Sequence, residues 1–158
     1  MTTRGTGGGE SMSDPSRTIY LVSCVSKKSP MPAQAKDLYK SDWFLKARDY
    51  VESTRSPWFI LSAKYGLVPP YRIVSPYEQT LNTMRKSDRQ KWATMVEAEM
   101  EISLPAVDRI VLLAGARYRK FLMDYLRRRA ATVEVPMEGL SIGRQLHYLT
   151  GALHHERV

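Results

Sequence analysis

The chain has 158 residues, and its 24 Lys and Arg against 16 Asp and Glu give a formal net charge of +8. That length suits one domain, and 43% hydrophobic with 25% charged residues excludes a disordered chain. The single cysteine, Cys24, excludes an internal disulfide framework and a cysteine-based zinc site. We find no apolar run of membrane-spanning length and no secretory signal, so we expect a cytoplasmic protein that does not contact membranes.

The positive charge is concentrated in two segments. Six Lys or Arg residues stand against two Asp in 27–48, and six stand against one Asp in 117–129. A basic surface favours polyanions, and nucleic acid is the commonest of these. The run 127–129 fits a helix C-terminus equally well, because cations are favoured there. Charge therefore predicts DNA as a partner without identifying the contact residues.

Short apolar runs alternate with segments of helical periodicity after a Gly-rich, polar stretch. Residues 1–16 are predicted to form a disordered tail, and residues 154–158 a short C-terminal tail. The three prolines in 66–77 predict a long extended loop. Ser87 or Asp88 is the predicted cap of the third helix. The predicted strands are 18–24, 58–62, 109–114 and 132–135, and the predicted helices are 35–51, 87–102, 117–129 and 141–153.

Continuous apolar strands that alternate with helices are typical of a parallel sheet covered on both faces. We therefore predict one α/β domain over 17–153, with three α/β/α layers around a four-stranded, mainly parallel sheet. Ligands bind such domains at the carboxyl ends of the strands. That rule selects four loops: 23–28, 62–77, 115–118 and 136–141.

The first loop offers a hydroxyl in Ser23, a thiol in Cys24 and ammonium groups in Lys27 and Lys28. Either lysine can hold a phosphate, or act as a nucleophile if it is buried. Cys24 is a candidate nucleophile, but none of the other three loops contains a histidine to activate it. The alternative, that Cys24 packs as a small buried residue, is favoured.

The second loop combines aromatic rings, a lysine and a carboxylate. Tyr65 or Tyr77 can stack on an unstacked base, and Glu78 can activate water. An equally weighted alternative is that Tyr77 covers the core and Glu78 caps a helix that begins at Gln79. Both interpretations stay open at this point.

The remaining loops carry weaker signals. Gly115 permits close approach of a ligand at a helix N-terminus, although a tight strand-to-helix turn needs glycine as well. In the fourth loop Glu138 is a further carboxylate, Gly139 exposes backbone, and Ser141 is the predicted helix cap. Asp37 opens the first helix, either as a dipole partner or as a base.

Six segments carry a resemblance to a family of small bacterial and phage proteins that bears a domain-of-unknown-function label. The resemblance extends over nearly all of residues 18–150, and its segments include the octapeptide ILSAKYGL. The segments are 21–28, 37–39, 60–67, 76–81, 113–119 and 136–145. The family in turn resembles, more distantly, the uracil-DNA glycosylase superfamily. The resemblance implies an antiphage enzyme that removes glucosylated hydroxymethylcytosine from phage DNA.

Two departures from that superfamily bear on mechanism. Its Gly-x-Asp-Pro-Tyr motif is absent, and 23–28 stands in its place. The histidine of its last motif is absent too, and 136–141 stands there. A glycosylase mechanism in this chain must therefore use other groups.

The sequence thus predicts a monomeric, monofunctional DNA glycosylase without metal or organic cofactor. The alternatives are a lyase that uses Lys27, Lys28 or Lys64, an N-glycosidase or transferase for free nucleosides or nucleotides, and a non-catalytic DNA-binding module. The candidate catalytic carboxylates are Asp37 and Glu78. The candidate base-binding residues are Ser23, Cys24, Lys27, Tyr39, Tyr65, Tyr77, Glu138, Gly139 and Gln145. The candidate phosphate-binding residues are Lys28, Lys64, Arg117, Tyr118 and Arg144.

Overall fold

The computed structural model describes residues 17–23 and 28–157, so the predicted tail 1–16, Cys24 and Lys27 lie outside the described residues. The strands are β1 (Thr18–Ser23), β2 (Ala33–Gln34), β3 (Trp58–Ser62), β4 (Gly66–Val68), β5 (Ile73–Val74), β6 (Arg109–Leu113) and β7 (Thr132–Glu134). The helices are α1 (Ala35–Leu38), α2 (Asp42–Ser53), α3 (Lys86–Ser103), α4 (Ala116–Arg119), α5 (Met123–Arg129) and α6 (Ile142–Arg157), with a 3₁₀ helix at Leu81–Thr83.

Five strands form the main sheet in the order β4-β3-β1-β6-β7. β1, β3, β6 and β7 run parallel, and β4 pairs antiparallel with β3. The prediction of a mainly parallel sheet is confirmed, and the count of four strands is wrong. The additional strand, β4, has only three residues, which is too short for an alternating pattern to reveal it.

Helices cover the sheet on both faces. Tyr20 and Trp58, which are in register on β1 and β3, contact Tyr50 and Phe44 of α2. α6 packs on α2. Every residue of β1 is buried, so both faces of the sheet are covered there. Given the strand order, the rule that parallel crossovers are right-handed assigns α3 and α5 to the face opposite α2. There Nη2 of Arg129 donates to the carbonyl oxygen of Leu104 at 2.8 Å, which ties the end of α5 to the end of α3.

Several predicted helix boundaries are wrong. The helix predicted at 35–51 is two helices, because the backbone is extended at Tyr39 and Ser41, and Ser41 Oγ caps α2 by accepting from the Phe44 amide. The helix predicted at 117–129 divides likewise into α4 and α5. α3 begins after Arg85 without a side-chain cap, so neither Ser87 nor Asp88 has that role. α6 continues through residue 157, into the segment predicted as a tail.

A two-stranded ribbon, β2 with β5, stands apart from the main sheet. It brings the start of α1 against the segment 70–72, since the Ala35 amide donates to the Arg72 carbonyl at 2.8 Å and the Lys36 amide to the Pro70 carbonyl at 2.9 Å. The segment predicted as a loop therefore contains two strands, β4 and β5. No helix in the described part of the chain is long and apolar enough to cross a membrane.

Candidate functional site

The strand order places a topological switch point between β1 and β6. The chain leaves β1 towards β3 on one side and leaves β6 towards β7 on the other. The two strand ends are joined directly, because the buried Ser23 Oγ accepts a hydrogen bond from the Gly115 amide at 3.4 Å. Ligands of open α/β sheets bind at such points. Two clefts flank the end of β1.

The first, which we call the switch cleft, lies beyond the ends of β6 and β7 and has a volume of about 230 Å³. Its wall is apolar on one side and formed by small residues and exposed backbone on the other. The lining residues are Trp43, Leu112, Ala114, Gly115, Ala116, Arg119, Val135, Met137, Glu138, Gly139, Leu140 and Gln145.

Arg119 is the main charged group inside the switch cleft. Its Nε donates to the Ala114 carbonyl at 2.9 Å, and its Nη1 donates to Glu138 Oε2 at 3.3 Å. The Arg119 side chain is only 15% exposed, whereas that of Glu138 is 68% exposed. A fixed guanidinium therefore lies within the cleft, and a carboxylate stands at its mouth.

Gln145 connects the two walls of the switch cleft. Its Oε1 accepts from the Trp43 indole Nε1 at 2.8 Å, and its Nε2 donates to the Leu140 carbonyl at 2.8 Å. Gly139 has a φ of +82°, which allows the loop to turn between these contacts. Ser141 Oγ accepts from the Arg144 amide, as the predicted helix cap should. One amide side chain thus holds the loop, α2 and α6 together.

The second cleft, which we call the tyrosine cleft, lies beyond the ends of β1 and β3 and has a volume of about 420 Å³. The Lys28 ammonium lies 4.6 Å from the centre of the Tyr77 ring and 5.8 Å from that of Tyr39. Glu78 stands beside Tyr77 on the rim. The lining residues are Lys28, Ser29, Pro30, Pro76, Tyr77 and Glu78.

Hydroxyl groups fix the wall of the tyrosine cleft. Ser62 Oγ accepts from the Tyr65 amide at 3.0 Å and donates to the Tyr77 hydroxyl at 2.8 Å. The hydroxyls of Tyr77 and Tyr39 are in turn 2.8 Å apart. Tyr77 is only 7% exposed and Tyr39 only 1%. These two rings are therefore wall elements of the cleft, whereas Tyr65 is partly exposed.

Glu78 is the most available carboxylate at this end of the sheet. It is exposed and makes no hydrogen bond or ion pair with the described residues. It does not cap a helix, because Thr80 Oγ1 accepts from the Asn82 amide at the start of the 3₁₀ helix. The interpretation of Glu78 as a helix cap is therefore wrong, and its carboxylate is open to the tyrosine cleft.

Asp37, the other candidate carboxylate, is held by two cations. Arg48 Nη1 lies 3.3 Å and Lys36 Nζ 3.4 Å from its oxygens. Asp37 lines neither cleft. Its position supports a structural ion pair rather than a base beside the first loop.

The candidate phosphate-binding residues divide into two groups. Lys64, Arg117 and Arg144 are exposed and follow β3, β6 and β7. Tyr118 is only 5% exposed and packs edge-on against Trp92. Its ring packs in the core, and its assignment as a phosphate contact stays a prediction.

Three site residues were not singled out from the sequence: Trp43, Arg119 and Ser62. The helical spacing of Trp43 and Arg119 gives no sign that they face a cleft. Ser62 ends a predicted strand, and its position at a carboxyl end was the one available signal.

Side chains with shifted pKa values lie outside both clefts. Hydrogen bonds from Arg109 lower the pKa of Glu134, and Tyr125 and then Arg129 lower that of Glu101. Burial raises the pKa of Tyr125. These groups join sheet strands or helices and serve packing. Among the described residues, no three His, Cys, Asp or Glu side chains cluster as a metal site requires.

The fold and clefts define a doubly wound α/β protein with a basic, ligand-accessible carboxyl edge. A family model described as a family of unknown function, DUF6884, matches residues 19–151. The chain therefore belongs to the DUF6884 family. None of the curated proteins matches the chain.

Proposed function

We propose that this protein is a DNA N-glycosylase that excises a modified cytosine, such as glucosylated hydroxymethylcytosine of phage DNA, and leaves an abasic site. The observation that carries the proposal is the exposed Glu78 carboxylate on the rim of the tyrosine cleft, which pairs with no residue that the structure describes. The net charge of +8 supports a polyanionic substrate. Removal of such bases would act against phage.

β1 lies between β3 and β6, so these two strands are two strand spacings apart, a distance of about 10 Å. In the proposed complex one flipped nucleotide reaches both the tyrosine cleft and the switch cleft. The planar base suits the switch cleft, with its apolar wall and the Arg119 guanidinium. The deoxyribose then lies over the end of β1, on the side towards Glu78. Base flipping is the general way in which enzymes reach a base for chemistry.

In the proposed reaction Glu78 orients a water molecule and accepts its proton while the water oxygen bonds to C1′ of the sugar. The C1′–N bond breaks, and its electron pair leaves with the base, which then takes up a proton. Arg119 stabilises the negative charge on the departing base, and a preorganised donor of this kind contributes about 3 kcal/mol. The carboxylate also stabilises the positive charge that develops on the sugar.

DNA phosphates require exposed cations around the clefts. Lys64, Arg117 and Arg144 project from the loops and helix starts that follow β3, β6 and β7. Phosphate contacts fix the register of the DNA without reading its sequence. Selection of the base is therefore assigned to the switch cleft.

The test uses two phage genomic DNAs, one with glucosylated hydroxymethylcytosine and one unmodified. Released bases are identified by mass spectrometry and abasic sites with an aldehyde-reactive probe. We expect release from the modified DNA alone, and a fall of about 100-fold for Glu78→Gln. Glu97→Gln on α3, the matched control, should act like the wild-type protein.

Three results would count against the proposal. Release of bases from free nucleotides but from neither DNA would indicate a nucleoside or nucleotide enzyme. Binding without release would indicate a non-catalytic module. A covalent DNA adduct trapped by borohydride would replace water with a lysine nucleophile.

A further inference from the structure

Strand β5 of the ribbon, and the segments just before β2 and β5, carry large apolar side chains that nothing in the described chain covers. Tyr71 is 65% exposed, Ile73 71% and Met31 66%. An exposed apolar patch of this kind marks an interaction site more often than a scattered single residue does. The ribbon adjoins the tyrosine cleft and has no role in the proposed chemistry.

Cations lie over the two accessible tyrosine rings beside the ribbon. Lys64 Nζ is 5.3 Å and Arg72 Cζ 5.9 Å from the centre of the Tyr65 ring. Lys36 Nζ is 5.8 Å from the centre of the Tyr71 ring. Each distance is within the range of a cation–π contact. Aromatic faces and positive charges therefore alternate along this surface.

The surface is continuous with the tyrosine cleft. The Tyr65 ring meets Tyr77 edge-on at 5.5 Å, and the Tyr65 hydroxyl donates to the Ser75 carbonyl at 3.1 Å. The backbone bonds of the ribbon then hold 70–72 against the start of α1. We call the resulting surface the ribbon track: Lys36, Arg55, Lys64, Tyr65, Tyr71 and Arg72.

The far end of the ribbon track is a third cleft, of about 400 Å³. Lys36, Arg55 and Tyr71 line it together with Glu52. Arg55 has a φ of 63°, in the left-handed region that favours glycine. Few acidic groups oppose a polyanion at this cleft. Glu52 is the one carboxylate among its lining residues, and the nearby Asp37 is paired with Lys36 and Arg48.

We infer that the ribbon track binds single-stranded DNA next to the reaction site. Phosphates contact Lys36, Arg55 and Arg72, and unstacked bases lie on Tyr71 and Tyr65. Single strands are bound in this way, by a positive groove with aromatic platforms, because every base presents a π face. In a duplex the base faces are already stacked, which would leave Tyr71 and Ile73 exposed. The inference rests on the proposed function. It adds that the DNA on which the proposed glycosylase acts is single-stranded.

The test measures binding of a fluorescent oligo-dT, which contains no substrate base, by anisotropy over a range of salt concentrations. We expect the single strand to bind more tightly than a duplex of equal length. Tyr71→Ala should weaken binding about ten-fold without changing the salt dependence, and Tyr71→Phe should bind normally. Arg72→Ala should reduce the slope of log K against log salt by about 0.7, the value for one lost phosphate contact.

Two controls lie elsewhere on the surface. Ile102→Ala removes an exposed apolar side chain and Lys91→Ala removes an exposed cation, both from α3; neither should change binding. Tighter binding of the duplex, or normal binding by Tyr71→Ala, would overturn the inference. Because oligo-dT is not a substrate, this result is independent of whether Glu78 supports base release.

Discussion

The Trp43 indole nitrogen and the Gln145 side-chain oxygen are 2.8 Å apart, although 102 positions separate the two residues in the chain. The same glutamine donates to the Leu140 carbonyl. Both groups of one amide are therefore used to close the wall of the switch cleft. The contact ties α2 to α6 at the place where the loop 136–141 must be held for a ligand.

Gln145→Ala is expected to lower the free energy of unfolding by about 2 kcal/mol, because two hydrogen bonds are lost and the partly buried indole N–H of Trp43 loses its acceptor. Urea denaturation measures the change. Gln90→Ala, at an exposed position of α3, serves as the control and should change stability by less than about 0.5 kcal/mol. Equal effects of the two substitutions would contradict this role of Gln145.

Tyr77→Phe removes the hydroxyl that links Ser62 and Tyr39. Both partners are buried, so the variant should lose about 1–2 kcal/mol of stability. Glu78 follows Tyr77 directly, and its carboxylate should be held less well over the sugar. We expect kcat for base release to fall while KM changes little. Tyr148→Phe, on α6, is the control for the loss of a tyrosine hydroxyl. If kcat fell in that variant too, the effect would not be specific to the Tyr77 hydroxyl.

Arg119→Lys should reduce base release by about 10- to 100-fold, because one ammonium group cannot reproduce the fork that bonds Ala114 and Glu138. DNA affinity should stay unchanged, since exposed cations supply the phosphate contacts. Stopped assays of base release and a separate binding titration distinguish the two quantities. Arg127→Lys provides the control. A loss of affinity with normal release would instead make Arg119 a phosphate ligand.

Glu134 and Arg109 form a bidentate ion pair between β6 and β7, with both N–O distances at 2.7 Å. Hydrogen bonds from Arg109, and then its charge, lower the pKa of Glu134. A carboxyl with a lowered pKa contributes stability above its unfolded value, 4.5, and that contribution is lost as the pH falls through the folded pKa.

Glu134→Gln should therefore be less stable than the wild-type protein by about 1 kcal/mol at neutral pH. The loss is modest because each side chain of the pair is 39% exposed, so that solvent screens the interaction. The difference should shrink as the pH is lowered below 4.5 and disappear below the folded pKa. Urea midpoints measured in acidic steps check this. A difference that does not depend on pH would point to packing instead of charge.

Gly66→Ala should destabilise the protein by about 2 kcal/mol or more. The residue has a φ of +74°, and an added Cβ would lie 2.3 Å from Glu99 Oε1, the atom that accepts from the Leu67 amide. Gly151→Ala on α6 meets nothing within 4 Å and should stabilise the helix by about 0.5–1 kcal/mol. Thermal melts of the two variants should shift in opposite directions.

β1, β3 and β6 could be predicted because each is a mainly apolar run between polar loops. β4 could not, because its three residues pair only once β3 is in place beside them. The break after α1 was equally hidden. Phe44, Ala47 and Val51 follow it at helical spacing, while Tyr39 turns its buried hydroxyl towards Tyr77.

The rule for carboxyl ends brought Glu138, Gly139 and Gln145 to one cleft, and Lys28 and Glu78 to the other. It could not show that Asp37 is bound by Arg48, because that contact forms only when α2 folds back past the break. The same holds for Arg119, whose guanidinium reaches back to the end of its own strand. Contacts of this kind depend on tertiary geometry, which periodicity does not contain.

β4 also determines how this protein behaves when it is crowded with copies of itself. An outermost strand can recruit a strand from another molecule if its outward N–H groups are unoccupied. Here the Leu67 amide is already taken by Glu99, and Pro69 ends the strand after three residues. This margin of the sheet is therefore protected against pairing with a second copy, so the β4 edge does not seed aggregates when the protein is concentrated.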